Sequence, residues 1–353
     1  MNHRSLTTTL TFQRLNDYYS GESVAWDRCF QPRWERGNFA SRYHIVYPGL
    51  AYWILLHQEP EQRATLKPLL DVMYRGLLAR RCWGYWHDEL GETTWPLGER
   101  NLTYAGRLAT FIGFYIITFG HPPQPTIVIG DNEVTYTTLS ANLWQQMNSS
   151  PSCGVSCYRH TSMVMCNAHL LINNILHDRL HGTLFADSNA HWLKTVEEKL
   201  LNPDPEGPIF YYGTLPDSGD PNPEECLNSM DVWSLFLMSA LVPARVRQWF
   251  EKLKGRITHT GDVASLEVGT RETKWELSST ELATVWTYCL ARELDEQALA
   301  AKLRASLAPQ VADGFALDPL LSGLLLLGDL LTPGGFRALV TGDQFAPSPK
   351  VAD

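Results

Sequence analysis

Helical segments follow one another in pairs along almost the whole chain of 353 residues. In most of them apolar side chains recur every three to four residues, which is typical of a helix with one buried face. Segment 102–119 is apolar at nearly every position, and this pattern predicts a helix enclosed by others. The predicted helices are 41–57, 62–80, 102–119, 161–177, 189–201, 229–240, 244–253, 279–294, 295–307, 319–331 and 333–340.

The pairing of helices favours either an α-solenoid or a closed ring of helical hairpins. A solenoid shows a sequence period of 20–50 residues, and we find none. We therefore predict an all-α fold, an (α/α)6 toroid with a few short β-hairpins, in which residues 1–353 form a single domain. Residues 1–37 are expected to be an N-terminal extension and 341–353 a tail, both loosely ordered.

Short strands are predicted in a few places. Segments 126–129 and 133–137 flank Gly130-Asp131-Asn132, which is a hairpin turn signal. Further edge strands are expected at 209–212, 257–260 and 265–268.

Aromatic residues are unusually frequent, with 12 Trp, 14 Tyr and 13 Phe. This excess indicates an aromatic-lined cavity that takes a hydrophobic small molecule. A net charge of −9, without any run of Lys or Arg, argues against a nucleic-acid partner.

The sequence carries no signal for secretion or membrane insertion. The first residues lack the apolar stretch of a signal peptide. The longest apolar runs, 111–119 and 320–327, are shorter than the roughly 20 residues that a bilayer span needs. We expect a cytoplasmic protein without a membrane span, and a homo-oligomer remains an open alternative.

Three of the seven cysteines fall within 153–166. On one continuous helix, nine steps of 100° would place Cys157 and Cys166 on opposite faces. A helix capped by Thr161 or Ser162 instead leaves Cys157 in the preceding loop and Cys166 one turn inside. Both thiols can then face one cavity, with His169 on the same helical face as Cys166.

The cysteine cluster also fits a purely structural role or a metal site. Free cysteines are among the most buried residues, so the thiols could be inert core groups. Cys153, Cys157, His160 and Cys166 could bind zinc, but they lack the second tight ligand pair of common zinc sites. We therefore expect no bound metal. An odd cysteine count without a secretion signal also disfavours a disulfide framework.

The segment Gly154-Val-Ser-Cys157 … Cys166-Asn167 resembles the signature of the linalool dehydratase/isomerase family, including its nine-residue interval. The likeness spans about residues 38–310, and the double-cysteine motif is its specific part. Further patches that resemble the family in order are Trp83-Gly-Tyr85-Trp86, Asn101-Leu-Thr-Tyr104-Ala, 136–146, 231–233 and 284–292.

This resemblance implies an (α/α)6 toroid with the active site in its funnel. It also implies reversible loss and addition of water and double-bond migration on an allylic terpene alcohol, without a metal or organic cofactor. The family site holds two cysteines, a histidine and an Asp–Tyr pair. Cys157 and Cys166 match the cysteines, and Tyr43 matches the tyrosine through the pattern Arg42-Tyr43.

Two positions depart from the family pattern. The family histidine aligns with Arg107, and the interval 37–41, where the aspartate would lie, contains no carboxylate. Asp27 and Glu35 lie further upstream and could substitute only if the chain bends back.

Arg107 changes the expected chemistry. It does not deprotonate at working pH, so it cannot act as a base. It can anchor a carboxylate, carbonyl or enolate, or lower the pKa of a neighbouring thiol. A cation on an inner helix is costly unless it is paired, which favours a functional role over a surface position.

Further candidates complete the predicted site. His160 is expected to be catalytic, and His169 could also serve as the missing imidazole. Asp88 and Glu89 are either a carboxylate pair beside aromatic rings or a turn. Asp231 could line the funnel with Trp233 or cap the helix it opens, and we expect the cap. The predicted substrate-binding residues are Trp86, Asp88, Tyr104, Thr103, Asn167, His169 and Trp233.

Three functions remain open. The first is a cofactor-free lyase or isomerase (a dehydratase, double-bond isomerase or cyclase) acting on a terpenoid or polyketide-type molecule through Cys157, Cys166, Tyr43 and Arg107. The second is a glycoside hydrolase, which needs two carboxylates about 5–9.5 Å apart. The third is a non-catalytic protein that binds a hydrophobic ligand. The candidate hydrolase carboxylates are Asp88, Glu89, Glu225 and Asp231.

Overall fold

The computed structural model describes residues 6–20, 41–157, 161–225, 227–267, 279–309 and 318–343. Its helices are α1 Leu6–Ser20, α2 Tyr43–Gln58, α3 Arg63–Leu78, α4 Arg80–Trp83, α5 Tyr85–Asp88, α6 Leu102–Phe119, α7 Tyr136–Ser149, α8 Val164–His181, α9 Asn189–Thr195, α10 Asn228–Ser239, α11 Pro243–Lys254, α12 Thr280–Glu293, α13 Gln297–Ser306, α14 Pro319–Leu330 and α15 Gly335–Thr341. Its strands are β1 Ile127–Ile129, β2 Asn132–Val134, β3 Tyr211–Thr214, β4 Pro221–Glu225, β5 Ile257–Thr260 and β6 Val263–Leu266.

Among the described residues, six helices form a closed inner ring in the order α2, α6, α8, α10, α12 and α14, and α14 packs back against α2. These helices are apolar on most sides because each has neighbours on both flanks. In α6, every residue from Leu102 to Tyr115 is buried. The predicted toroid is therefore confirmed.

A second layer of helices surrounds this ring. Helix α3 packs on α2, α7 on α6 and α8, α11 on α10, and α13 on α12. Each needs only one apolar face, as in α11, where the buried residues are Val246, Phe250 and Leu253. Periodic amphipathic segments thus become outer helices and continuously apolar segments become inner ones.

Helix α15 lies across one end of the ring, where it packs on α2 and α8. The buried carboxylate of Glu293, at the end of α12, accepts hydrogen bonds from the backbone N–H groups of Phe336 (2.8 Å) and Arg337 (3.0 Å). Arg179, near the end of α8, donates to the carbonyl oxygen of Leu339. Helix α15 thus covers the ring at the C-terminal ends of the inner helices.

The strands form three two-stranded antiparallel hairpins within the described residues. The predicted hairpin at 126–137 is present as β1 and β2, but its second strand is shorter because Tyr136 begins α7. The strand predicted at 209–212 lies two residues later, as β3, and it pairs with the proline-containing β4, which was not predicted. Strand β5 pairs with β6 in a hairpin of their own.

The helix that carries Cys166 starts later than predicted. Neither Thr161 nor Ser162 caps it, and the residue before the helix is Met163. Ser162 instead exchanges two backbone hydrogen bonds with Thr214 of β3. The expectation of a side-chain cap was therefore wrong, because strand pairing holds this segment in an extended conformation.

Among the described residues, α6 is long and apolar enough to cross a membrane. Helices α14 and α15 meet the same criterion only if the two, which are bent by 94° relative to each other, are counted as one span. In α6, 78 % of the residues in the apolar window are buried inside the protein. This burial is what an inner helix of the ring requires.

Candidate active site

The N-terminal turns of inner helices meet one loop at the end of the ring opposite α15. Tyr43 of α2 and Thr103 of α6 share a hydrogen bond of 3.3 Å, and the Thr103 hydroxyl also bonds to Cys166 of α8. The residues that form this cluster, all of them buried, are Arg42, Tyr43, Tyr47, Thr103, Arg107, Cys157, Cys166, His169 and Trp233.

The loop that carries Cys157 is fixed to α8 by Asn167. The Asn167 side-chain oxygen accepts from the backbone N–H of Val155 (2.8 Å), and its nitrogen donates to the carbonyls of Val155 (3.1 Å) and Met163 (3.0 Å). Both polar ends of Asn167 are thus used by the backbone. Asn167 was predicted to bind substrate, and its observed contacts position the Cys157 loop.

A close approach of backbone to an aromatic ring also shapes this loop. A Cβ atom on Gly154 would lie 2.3 Å from the ring of Trp192, the central residue of α9. The Gly in the double-cysteine motif therefore allows the loop to pack closely against the Trp192 ring. The Cys157 backbone N–H then donates to the carbonyl of Thr161 (2.9 Å), and its sulfur accepts from the Met163 N–H (3.3 Å).

The two thiols face each other and have opposite electrostatic environments. Burial and the contact with Cys166 raise the pKa of Cys157 well above its usual value. Burial alone would also raise the pKa of Cys166, but the hydrogen bond from Cys157 and the charge of Arg107 outweigh it and lower this pKa to about 6. The two environments therefore favour the thiolate at Cys166 and the protonated thiol at Cys157.

Arg107 is fully buried and lies beside this pair. Its Nη1 donates to the carbonyl of Thr103 (2.8 Å), to the Thr103 hydroxyl (3.2 Å) and to Cys166 Sγ (3.7 Å). Its guanidinium carbon lies 4.8 Å from the ring centre of Tyr43 and 5.3 Å from that of Trp233. The predicted buried position of Arg107 is therefore the observed one.

Arg42 belongs to the same cluster, although the sequence pattern did not predict it as a site residue. Its Nη2 donates to the Tyr43 hydroxyl (2.9 Å) and to Thr103 Oγ1 (3.3 Å). Its guanidinium also lies over the rings of Tyr43 and Tyr85 at 4.4 and 4.5 Å. The signal was present in the pattern Arg42-Tyr43, where only the tyrosine was interpreted.

His169 lies deeper in the ring, one turn after Cys166. Its Nε2 is 3.1 Å from the Tyr47 hydroxyl, and its Nδ1 has no hydrogen-bond partner. Burial, followed by the nearby charge of Arg107, lowers the pKa of His169 well below its usual value. The imidazole is therefore neutral, and Tyr47 rather than a charged group is its partner.

Aromatic side chains form one wall of the cluster. The rings of Trp233 and Trp286 stack with centres 5.5 Å apart and planes at 12°. Tyr43 and Tyr47 meet the Trp233 ring edge-on at 5.3 and 5.1 Å. Four rings from three inner helices thus give the site a mostly apolar surface beside its cation and thiols.

Three predicted substrate-binding residues point to other neighbours. Asp88 is exposed and forms an ion pair with Arg80 at 2.6 Å. The buried Trp86 donates from its ring N–H to the carbonyl of Thr94. The Tyr104 hydroxyl donates to the carbonyl of Leu77 in the outer helix α3.

Some sequence candidates lie elsewhere as well. The Asp231 carboxylate accepts from the backbone N–H groups of Ile209 and Phe210 and faces Arg256, so the expected helix cap was wrong. His160, Asp27, Glu35 and the Glu225 side chain lie outside the described residues. In the part of the chain that the structure describes, no group of three or more His, Cys, Asp or Glu could hold a metal ion.

Two solved structures that are similar to this one are of an α-1,6-mannanase. An inactive variant of the α-1,6-mannanase GH76A of Salegentibacter sp. HEL1_6, in complex with α-1,6-mannotriose, matches with a TM-score of 0.52 at 11% identity. The same enzyme without the two inactivating substitutions matches with a TM-score of 0.51 at 10% identity, and both matches cover 95% of this chain and 98% of the mannanase. These similarities show the toroid fold.

The sequence itself matches the linalool dehydratase/isomerase family over residues 43–316. That range includes the aromatic wall, Arg107 and both thiols, and it covers more than half of the chain. The chain therefore belongs to the linalool dehydratase/isomerase family.

Proposed function

We propose that this protein is a lyase or isomerase in which Cys157 and Cys166 work as an acid–base pair on a terpenoid or polyketide-type molecule. Membership of the linalool dehydratase/isomerase family supports an enzyme of this type. The proposed reaction is an elimination, a double-bond shift or a cyclisation, and it uses side chains of the chain itself.

The observation that carries the proposal is the buried contact between the two thiols, with Arg107 Nη1 3.7 Å from Cys166 Sγ only. Burial raises the pKa of Cys157, whereas the contacts of Cys166 with Cys157 and Arg107 lower its pKa to about 6. Two titratable groups whose environments move their pKa values apart are suited to opposite roles in proton transfer. Cys166 is the base because it is a thiolate, and Cys157 is the acid because it keeps its proton.

The surroundings of the thiols favour carbon chemistry in a dry site. Cys157 and Cys166 are at most 1% exposed, and the rings of Tyr43, Trp233 and Trp286 lie nearby. A low-dielectric site strengthens the electrostatic attraction between Arg107 and a thiolate. The aromatic wall offers apolar contact area to a hydrophobic substrate.

The contacts of the carboxylates support this function over a glycoside hydrolase. Two carboxylates would have to face one cavity about 5–9.5 Å apart. Asp88 is exposed and paired with Arg80, whereas Asp231 is engaged by backbone N–H groups of 209–210. Neither is part of the buried cluster of Arg107 and Cys166.

The test compares single thiol substitutions under reducing conditions. Purified wild type, Cys157→Ser, Cys166→Ser and Cys82→Ser are incubated with linalool, an allylic terpene alcohol, and separately with the β,γ-unsaturated ketone isopulegone, and the products of either reaction are measured by gas chromatography. We expect product from the wild type and from Cys82→Ser, whose thiol lies in the buried core outside the cluster. Both other variants should lose nearly all activity, and full activity in either one contradicts the acid–base pair.

A further inference from the structure

We propose that the substrate carries a neutral carbonyl group, and that Arg107 together with Trp233 binds its oxygen as it becomes an enolate. This inference rests on the proposed function of the thiol pair and names the substrate class of the same site.

The first observation is a set of buried donors without an acceptor. Arg107 Nε and Nη2 and Trp233 Nε1 have no hydrogen-bond partner, although both side chains are at most 2% exposed. The Tyr47 hydroxyl makes a side-chain hydrogen bond with Arg107 as well as with His169 Nε2 (3.1 Å), and the three nitrogens named above still have no partner. A buried donor without an acceptor costs free energy, and nearly all such groups in proteins are satisfied. An acceptor on a bound ligand would satisfy them.

The second observation is the orientation of the guanidinium. Nη1 is held by Thr103 and Cys166, so the group is fixed on one side. Nε and Nη2 form the opposite edge of the planar fork, and their two N–H bonds run side by side. Such an edge binds oxygen acceptors in a bidentate manner. The Trp233 ring lies against the same guanidinium at 5.3 Å.

The charge balance of the site selects a neutral carbonyl over a carboxylate. In the resting site, the positive charge of Arg107 is balanced by the thiolate of Cys166, whose pKa is about 6. A carboxylate would add a second negative charge in a buried place, which is costly. A neutral carbonyl adds none, and proton transfer only moves the negative charge from one edge of the guanidinium to the other.

The reaction that follows is balanced without a further reactant. The Cys166 thiolate removes a proton from the carbon beside the carbonyl, and the C–H electron pair forms a C=C bond while the carbonyl π pair moves to oxygen. The enolate oxygen is held by Arg107 and Trp233. Cys157 then donates its proton to the far end of the conjugated system, the carbonyl re-forms, and the double bond has shifted. Transfer of the proton from Cys166 to Cys157 restores the starting state.

The experiment uses a matched pair of ligands, the β,γ-unsaturated ketone isopulegone and its alcohol isopulegol. Binding of each to the full chain is measured by quenching of tryptophan fluorescence. Exchange of hydrogen for deuterium at the carbon beside the carbonyl is followed by NMR in heavy water. We expect the wild type to bind the ketone roughly ten- to a hundredfold more tightly than the alcohol, because the alcohol's own O–H faces three donors and leaves a buried donor without an acceptor.

Two variants test the donors separately. Arg107→Met keeps an unbranched side chain but has no donor, and Trp233→Phe keeps an aromatic ring without the N–H group. We expect Arg107→Met to bind ketone and alcohol equally, and Trp233→Phe to reduce the preference for the ketone. Equal binding of both ligands by the wild type, no binding of either, or an undiminished preference in both variants overturns the inference.

A third variant distinguishes this inference from the proposed function. Cys166→Ser should keep the preference for the ketone but lose deuterium exchange. If Cys166→Ser still exchanges, the thiol pair is not the acid–base pair and the proposed function fails. If wild-type exchange depends on Cys166 but no ketone preference exists, only the inference about the carbonyl fails.

Discussion

Arg107 Nη1 lies 3.7 Å from Cys166 Sγ, and both side chains are buried inside the helical ring. Arg107 lies where the family pattern has a histidine, and Cys166 belongs to the double-cysteine motif, which is the most specific part of that pattern. The contact therefore joins a position that departs from the family to one that matches it. A permanent cation beside a thiol favours the thiolate, and a buried pair is screened little by solvent. The pH dependence of the enzyme should therefore report on this pair.

The first prediction concerns the acidic side of the pH profile. Cys166 acts as a base only as a thiolate, so kcat/KM should rise with pH through about pH 6, the pKa of this group. Arg107→Met removes the charge that lowers this pKa, and the thiolate should then form at higher pH. The ultraviolet absorbance of the thiolate, measured against pH, follows this directly. Arg107→Lys keeps the charge and serves as the control; an unchanged titration in Arg107→Met contradicts the prediction.

The second prediction concerns the clamp between the Cys157 loop and α8. Asn167→Leu leaves the N–H and C=O of Val155 without their partner, whereas the C=O of Met163 keeps its bond from the backbone N–H of residue 167 (3.1 Å). Each unsatisfied buried group costs about 1–3 kcal/mol, so the free energy of unfolding should fall by roughly 2–4 kcal/mol. Urea denaturation measures this. Asn148→Ala, which removes only an exposed hydrogen bond, should change stability little. Equal free energies of unfolding for Asn167→Leu and Asn148→Ala would contradict a stabilising role of the Asn167 hydrogen bonds.

The third prediction concerns the carboxylate under α15. Burial raises the pKa of Glu293 to about 7, against the two backbone N–H groups that favour its charged form. The folded protein therefore holds this proton more tightly than the unfolded chain, whose value is near 4.5. Stability from this group is fully present below about pH 4.5 and is lost as pH rises to about 7, a change of roughly 3 kcal/mol. Glu293→Gln should flatten this part of the stability–pH curve relative to the exposed Glu133→Gln, and parallel curves would refute it.

The fourth prediction separates the two enzyme classes. Asp88→Asn should leave activity within twofold of the wild type, because Asp88 is exposed and pairs only with exposed Arg80 among its described contacts. A hydrolase that used Asp88 as its acid would lose activity by orders of magnitude. Conversion of linalool or isopulegone measures the first outcome, and release of reducing sugar from α-1,6-mannan measures the second. Measurable mannan hydrolysis that is lost in Asp88→Asn would reverse the proposed function.

The ring was predictable because inner and outer helices carry different burial patterns. Segment 102–119 was expected to be enclosed, and α6 is buried from Leu102 to Tyr115. Helix α7 was not predicted, because the strand pattern before it ran on to Thr137, while Thr135 in fact caps a helix that begins at Tyr136. Local sequence at that point fits both a strand end and a helix start, and packing of α7 on α6 and α8 decides between them.

The site was predictable where chemistry is carried by rare residue types. The cysteine spacing indicated a loop thiol facing a helical thiol, and Arg107 stood out as a cation in an apolar helix. Long-range contacts gave no such signal. The carboxylate of Asp231 binds the backbone at Ile209 and Phe210, some twenty residues earlier, and Arg42 reaches Thr103 across two helices. The roles of the predicted catalytic and substrate-binding residues stay predictions.

The closed ring distributes the site over separate helices: the cation on α6, the thiolate on α8, the tyrosines on α2 and the stacked tryptophans on α10 and α12. Each group is held by its own helix backbone, so replacing one does not require the others to move. Evolution can therefore exchange an imidazole for a guanidinium on α6 while the thiols stay in register. The chemistry of such a site can be changed by substitution of single residues, and Arg107 is the first residue to substitute.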